Sequence, residues 1–459
     1  MAKITDMTSG SPLRLILNFS FPLIISNLGQ QLYMIADGAI VGRGVGVKAF
    51  AAVGATDWIV WLIIWSMTVL TQAFSTFVSR YFGEKNYERM NKVIAMSALL
   101  SAAIGIFMGI CGMVTSKWLL TLLGTPDDII SDAVIYLVTM SAGTLIVTAY
   151  NMAASVLRAL GDGKTPFFAM VIAAILNVGL DILFVMVLKW GVFGAALASV
   201  MAQAVSFVFC LIQITKIECV NITYNDLKPD FGMLGELFLF GIPLCLQYVI
   251  ISVGGIILQS TINAQGSIYV AGYTAINKLY GLLESTAISL GIALSTFYAQ
   301  NYGAGKNERV KKGVRTGAFL AIVLAVFVMI LVLLFGRYML MLFLDTDMEG
   351  GQEALEIGWN YLKLLAYGLV ILYSVYVYRN VLQAVGISSW SLISGISEFF
   401  IRVIMGKVLV LYMGIDLLYY VEPVAWIGAL VFVMLPYMCY YKKKYFTTNR
   451  CTEQSAREI

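Results

Sequence analysis

Two aspartates, an asparagine and a serine carry most of the chemistry this chain offers. Asp37, Asn177, Asp181 and Ser199 all fall inside long apolar stretches, where an ionised side chain costs about 2.5–3.5 kcal/mol on insertion scales. Asn177 and Asp181 are four residues apart, a spacing that puts both side chains on one helix face. At 1.5 Å of rise per residue, Asp37 lies about 9 Å inside Arg43, Asp181 about 12 Å inside Lys189, and Ser199 about 12 Å inside Gly191. Oxygen-bearing side chains from three stretches thus fall at one depth. Two carboxylates, an amide and a hydroxyl are the ligands hard cations take. Alternatively, two carboxylates close together in a dry site hold a proton between them. The structural alternatives are a cap at the end of the first stretch for Asp37 and a hydrogen bond between Asp181 and Asn177.

The elements that must position these groups are membrane helices. The chain of 459 residues is 60% hydrophobic and only 12% charged, against about 25% charged in soluble domains, and its mean hydropathy is +0.86. Twelve apolar runs are long enough to cross a hydrocarbon core: about 14–40, 50–80, 93–115, 129–158, 166–187, 192–215, 236–261, 268–300, 316–343, 354–383, 390–412 and 422–441. They lack strand alternation and exceed the length of barrel strands, so an all-α, polytopic membrane protein is expected.

Loop charge orients the spans. Arg80, Lys85, Arg89 and Lys92 lie between spans two and three, Arg158 and Lys164 between four and five, and Lys306, Arg309, Lys311, Lys312 and Arg315 between eight and nine. Lys442, Lys443 and Lys444 follow span twelve. The alternate loops carry Asp127, Asp128, Asp132, Asp345, Asp347, Glu349, Asp416 and Glu422. Basic loops stay in the cytoplasm, which puts both termini there. No cleavable signal peptide is evident, since the first apolar run is too long for a signal core. The six cysteines show no paired spacing, so disulfides are not expected. Histidine is absent, which excludes His-based triads, His metal sites and His proton relays. No nucleophile, metal or cofactor constellation of an enzyme is visible, and no nucleic-acid partner is expected.

The second half repeats the first. Ser75-Thr76-Phe77, Gly83 and Glu88-Arg89 recur 220 residues later as Ser295-Thr296-Phe297, Gly303 and Glu308-Arg309. After a short insertion the displacement becomes 225, pairing Tyr136-Leu137 with Tyr361-Leu362, Gly143 with Gly368 and Arg158 with Gln383. Six spans per copy is an even number, so both copies enter the bilayer in one orientation, and substrate paths in such transporters lie between the copies. The expected organisation is a first lobe over 1–215, a polar cytoplasmic linker over 216–235, a second lobe over 236–445 and a polar, disordered tail over 446–459.

Pro22 and its partner Pro243 interrupt the hydrogen-bond ladders of spans one and seven and are candidate hinges. Glu284 lies near the middle of span eight with no evident local partner and would attract a cation if it faces a cavity. Glu398 and Arg402 suit an internal ion pair on span eleven. Arg158 and Arg402 are counted as the only arginines near span interiors.

Several landmarks stand in an order that resembles the multidrug and toxic compound extrusion (MATE) transporters over about residues 14–442. They are Phe21-Pro22, Asp37 with Val41-Gly42-Arg43, Leu157-Arg158-Ala-Leu-Gly161 with Lys164-Thr165-Pro166, Asn177 with Asp181, Gly194-Ala-Ala-Leu-Ala-Ser199, and above all Gln300-Asn-Tyr-Gly-Ala-Gly305. The resemblance implies two pseudo-symmetric six-helix bundles around a central cavity. It implies a monomeric antiporter of the cytoplasmic (inner) membrane that exports organic, often cationic compounds in exchange for H⁺ or Na⁺, with no cofactor besides that ion. The first-lobe cation site would be Asp37, Asn177, Asp181 and Ser199, the last where the family often has threonine. Tyr33, Tyr136 and Asn151 would line the substrate chamber, with Glu284 and Tyr361 contributing from the second lobe. The acids that norfloxacin-exporter-like members carry on spans seven and ten are missing, which makes the chain look closer to the DinF-like branch. The alternative within transport is a flippase for lipid-linked oligosaccharides, whose strongly cationic cavity two span arginines would not supply.

Overall fold

Inside a bilayer every backbone N–H and C=O must be satisfied within its own segment, and helices do this. A computed structural model describes residues 4–344, 347 and 350–455, without the side chains of residues 32–39, 41–44, 47, 50, 58 and 440–455. The side chains of Tyr33, Asp37, Val41, Arg43, Lys442, Lys443, Lys444 and Cys451, and the whole of Asp345 and Glu349, therefore lie outside the described residues. Among those described there is no strand.

Spans one to six are carried by α1 (Pro12–Gly44), α2 (Val47–Glu84), α3 (Tyr87–Leu122), α4 (Ile130–Ala142), α5 (Thr144–Ala159), α6 (Lys164–Asp181) and α7 (Gly191–Ile214). Spans seven to twelve are carried by α8 (Phe231–Asn263), α9 (Ser267–Gly303), α10 (Asn307–Met341), α11 (Gly351–Ala384), α12 (Ser389–Val403), α13 (Val410–Met413) and α14 (Val421–Ser455). Wider π-helical turns follow α6 (Ile182–Val187) and α12 (Ile404–Leu409), the fifth span of each copy. Among the described residues nine helices are long and apolar enough by themselves to cross a membrane, and α4 with α5, bent by 45°, makes a tenth. Gly143 sits at that bend, where a Cβ would come within 2.3 Å of Val200 on α7, so only glycine lets the two pack. Pro22 and Pro243 lie inside α1 and α8.

Contacts divide the chain into two units, Met1–Cys245 with Ala299–Val310, and Leu246–Tyr298 with Lys311–Ile459. The polar segment after α7 is tied to the first unit. Lys92 Nζ donates to the carbonyls of Asn225 (3.3 Å) and Lys228 (2.7 Å), and Asn91 Oδ1 accepts from the N–H of Asn221 (3.2 Å). The tail expected to be disordered instead continues α14 to Ser455. No glycine or proline interrupts residues 437–455, so nothing in the backbone stops helix propagation.

Residues 300–309 explain themselves within the first unit. Gln300 Oε1 accepts from the N–H of Met7 (2.9 Å) and its Nε2 donates to Ala159 O (2.9 Å). Asn301 Nδ2 and Arg309 Nη2 both donate to Met7 O (3.1 and 3.0 Å), and Arg309 Nη2 also reaches Ser9 O (2.9 Å). Gln300, Asn301 and Met7 are fully buried. The segment before α1 is thus strapped down by the run on which the family resemblance chiefly rests. Beside it, the repeat partners Gly83 and Gly303 make matching contacts: a Cβ on Gly83 would lie 1.9 Å from Gln300 O, and one on Gly303 1.9 Å from Arg80 O.

Candidate functional site

The site in the first unit is built on α6 and α7. Asp162 starts α6: its Oδ1 accepts from the N–H groups of Lys164 and Thr165 (3.0 Å each) and its Oδ2 from the Thr165 hydroxyl (2.5 Å). Pro166 follows in the first turn, where a missing N–H costs nothing. The helix runs through Asn177 to Asp181 and then widens into the π turn, a feature frequent at functional sites. The chain reverses at once. Lys189 and Gly191 both take positive φ (56° and 58°), and Trp190 N–H bonds back to Phe184 O at 2.8 Å. This tight return lays the first turns of α7 along the last turns of α6. Asn177 Nδ2 consequently donates to Ser199 Oγ at 3.2 Å.

Burial is what makes this polar group chemically notable. Asp181 is 0% and Asn177 1% exposed, in a span otherwise made mostly of apolar side chains. Asn177 Oδ1 has no hydrogen-bond donor among the described residues. An orphaned buried acceptor costs about 1–3 kcal/mol, and a ligated cation would offset that cost. The amide therefore bonds to Ser199 rather than to Asp181. α6 also packs against α1, and α1 touches the π turn. Position 37 is on α1, although the Asp37 side chain, like that of Tyr33, lies outside the described residues. Among the described residues, no group of three or more Cys, Asp or Glu could hold a metal ion.

The other expected residues are placed as follows. Tyr136 is buried on α4, in one apolar cluster with Ala49, Val53, Val192 and Val185 of the π turn. Asn151 on α5 is half-buried and donates to Val147 O at 3.1 Å, a bond within its own helix. A small apolar cavity of about 10 Å³ lies between α2, α4 and α5, with Ile64, Met67, Leu137 and Met140 in its wall. In the second unit Glu284 does have a partner: Tyr376 Oη donates to its Oε1 at 3.1 Å. Tyr361 is 1% exposed and meets Tyr273 and Tyr419 edge-on, which makes it part of an aromatic cluster.

The second unit also holds an ion network that sequence spacing captured only in part. Glu398 and Arg402 do approach each other, at 3.5 Å, but each has a closer partner from another helix. Arg379 Nη2 donates to Glu398 Oε1 at 2.7 Å and to Ser394 Oγ at 3.0 Å. Arg402 makes a two-pronged pair with Glu422, Nε to Oε1 at 2.9 Å and Nη2 to Oε2 at 2.7 Å. The Gln247 amide, oriented by its neighbours, accepts from Arg379 Nε and Nη1 (3.2 and 3.0 Å) and donates to Ser391 O (3.2 Å). Arg379, Glu398 and Arg402 are buried, and Glu422 is partly buried at 14% exposed. Two corrections follow. Arg379 joins Arg402 and Arg158 as an arginine within the spans. Glu422, expected in an outer loop, sits in the first turn of α14 and faces inward. A local signal existed only for the four-residue spacing; Arg379 and Glu422 come from helices whose neighbours are set by tertiary packing.

Comparison with known proteins places this geometry. The MatE family model matches twice, over residues 22–183 and 243–408, in register with the internal repeat. A Bacillus subtilis (strain 168) protein described as "Probable multidrug resistance protein YpnP" is 28% identical over 87% of this chain and 88% of its own length. The "Multidrug export protein MepA" of Staphylococcus aureus (strain MW2) is 24% identical over 81% of each chain. The crystal structure of a MATE protein in complex with MaL6 superposes with a TM-score of 0.87 at 25% identity, over 96% of this chain and 98% of that one. A MOP superfamily transporter from Pyrococcus furiosus, whose structure is described as having a binding pocket of reverse polarity, gives the same TM-score and identity over 95% of this chain and 98% of that one. With two matched copies that together span well over half its length, an all-helical multi-pass architecture and this superposition, the chain belongs to the MatE family of transporters.

Proposed function

We propose that the protein is a secondary antiporter that exports varied organic compounds across the cytoplasmic membrane in exchange for H⁺ or Na⁺ bound in its first unit. Its curated relatives are described as multidrug resistance and multidrug export proteins, which supports the substrate class. The observation that carries the ion-coupled reading is the fully buried Asp181 one turn from Asn177, whose amide bonds to Ser199 and keeps an acceptor without a donor among the described residues. Burying a carboxylate this deep in an apolar span is costly, and a bound proton or cation offsets that cost. Asp37, on the helix packed against α6, is the second carboxylate in this reading.

Occupancy has to favour one arrangement of the transporter over another, because equal affinity for both would shift nothing. Pro22 removes one backbone hydrogen bond of α1. The bend of α1 is therefore the cheap degree of freedom by which a cation at Asp37 and Asp181 alters the substrate chamber. The drive is adequate. One elementary charge moving through about 100 mV supplies about 2.3 kcal/mol, enough to hold roughly a 50-fold gradient of a neutral substrate.

Reconstituted vesicles test this reading with ethidium as the probe and imposed Na⁺ or pH gradients in turn. Gradient-driven ethidium movement is expected with one of the two ions and is expected to vanish in Asp181→Asn and Asp37→Asn. Full gradient-driven export by either variant would overturn the site.

A further inference from the structure

We propose that the second copy carries its own tethered cation. The guanidinium of Arg402 occupies the position where the first copy presents Asn177 to a mobile ion, so the second unit is permanently loaded and exchanges none. The inference rests on the ion-coupled reading of the first unit.

The internal repeat makes the comparison quantitative. The displacement that carries residue 183 to residue 408, the ends of the two family matches, carries Asn177 to Arg402. Both residues lie on the fifth span of their copy, Asn177 five residues before its π turn and Arg402 two residues before its own. Both reach across to the sixth span, Asn177 to Ser199 on α7 and Arg402 to Glu422 on α14. The same displacement carries Asp181 to Gly406. The first copy therefore has a neutral amide with an acid one turn on. The second has a permanent cation there and a glycine one turn on.

The acids around Arg402 complete the picture. Glu422 embraces it from α14 and Glu398 approaches it from the preceding turn of α12. With Arg379 the ion-paired group counts two guanidinium groups against two carboxylates, and Glu284, held by Tyr376, stands outside these pairs. Arginine keeps its charge at every accessible pH, and its covalent tether holds that charge beside the carboxylates. Arg402 Nη1 has no acceptor among the described residues, so the guanidinium is seated by two of its three nitrogens. That matches a cation held between two carboxylates rather than an arginine whose whole fork is needed for packing. The consequence is a transporter whose ion coupling comes from one unit only, although its architecture is duplicated.

Removal of the tether should open an ion site. In the full-length Asp181→Asn protein, which silences the first unit, the melting temperature is followed against guanidinium chloride and NaCl at millimolar concentration and constant ionic strength. With Arg402 present the response should be flat. Arg402→Ala in that background should gain a saturable rise of several degrees with guanidinium, the form expected for ligand binding to the folded state, and Glu422→Gln should remove it again. A flat response in Arg402→Ala, or a rise that survives Glu422→Gln, would overturn the proposal. Should Arg402→Ala fail to fold, a second measurement decides with Arg402 intact. Any ion-driven transport left in Asp181→Asn and abolished by Glu398→Gln would show a working ion site in the second unit and end the inference. Ion-driven transport in Asp181→Asn that Glu398→Gln leaves untouched would instead refute the first-unit site and leave the tether standing.

Discussion

Replacing Gly83 by alanine tests the packing on which the family's signature run depends. The new Cβ would lie 1.9 Å from Gln300 O and 2.6 Å from its carbonyl carbon, whereas ordinary contacts begin near 3.4 Å. The obstacle is backbone, so no side chain can swing away, and the ends of α2 and α9 must part by more than 1 Å. Overpacking of this kind costs about 1–3 kcal/mol. Displacing Gln300 also strains its bonds to Met7 and Ala159, each worth about 0.5–1.5 kcal/mol net. The expected total is about 2–4 kcal/mol. At roughly 2–4 °C per kcal/mol for a domain of 150–250 residues, the melting temperature of the purified protein falls by about 4–16 °C. Gly303→Ala meets Arg80 O at the same 1.9 Å and should cost a similar amount. Once one alanine has forced the helix ends apart, the second has less to displace, so the double variant should cost clearly less than the two single costs combined, with a coupling of about 1 kcal/mol or more. Thermal unfolding followed by intrinsic tryptophan fluorescence reads all three variants. Single variants within about 0.5 kcal/mol of the parent, or strictly additive costs, would refute the reciprocal contact.

Further outcomes follow from neighbouring parts of the structure. Asp162→Ala removes three bonds that open α6 and should lower stability by about 0.5–2 kcal/mol in denaturant unfolding. Arg309→Ala should raise amide exchange in residues 5–9 without affecting α3, because it releases the carbonyls of Met7 and Ser9; unchanged exchange would show that the strap does not depend on it. The hydrogen bond and charge of Lys48, 2.9 Å away, hold the Asp128 carboxyl below the usual carboxylate range. Its folded-state value being depressed, the pair's contribution is present above the ordinary carboxylate range, near pH 4, and is lost as pH falls through the folded value. Lys48→Met should return the Asp128 titration to the ordinary range by NMR and leave the transport pH profile above pH 6 unchanged.

Much of the fold was legible because apolar runs of membrane length, basic alternate loops and a displaced repeat all constrain the same topology. The depth count set Ser199 level with Asp181, whereas the structure bonds it at 3.2 Å to Asn177, one turn earlier on α6. What sequence spacing did not expose was long-range. Arg379 stands near the end of span ten and looks like an interfacial anchor, while Glu422 precedes Pro423 and looks like a loop acid. Their burial is set by which helices pack together, not by their own neighbours. The strap on the segment before α1 depends on residues nearly 300 positions away. The π turns leave no compositional trace, because they widen a helix without changing which residues are apolar.

The most direct measurement is ion binding at Asp181 itself. Purified parent and Asp181→Asn proteins, equilibrated with ²²Na⁺ and, in parallel, titrated with ethidium under a pH-sensitive dye, report bound sodium and released protons per molecule. The parent should show saturable binding or release of one of the two ions, and Asp181→Asn should show neither. An Asp181→Asn protein that binds or releases that ion as the parent does would contradict a coupling site built on α6.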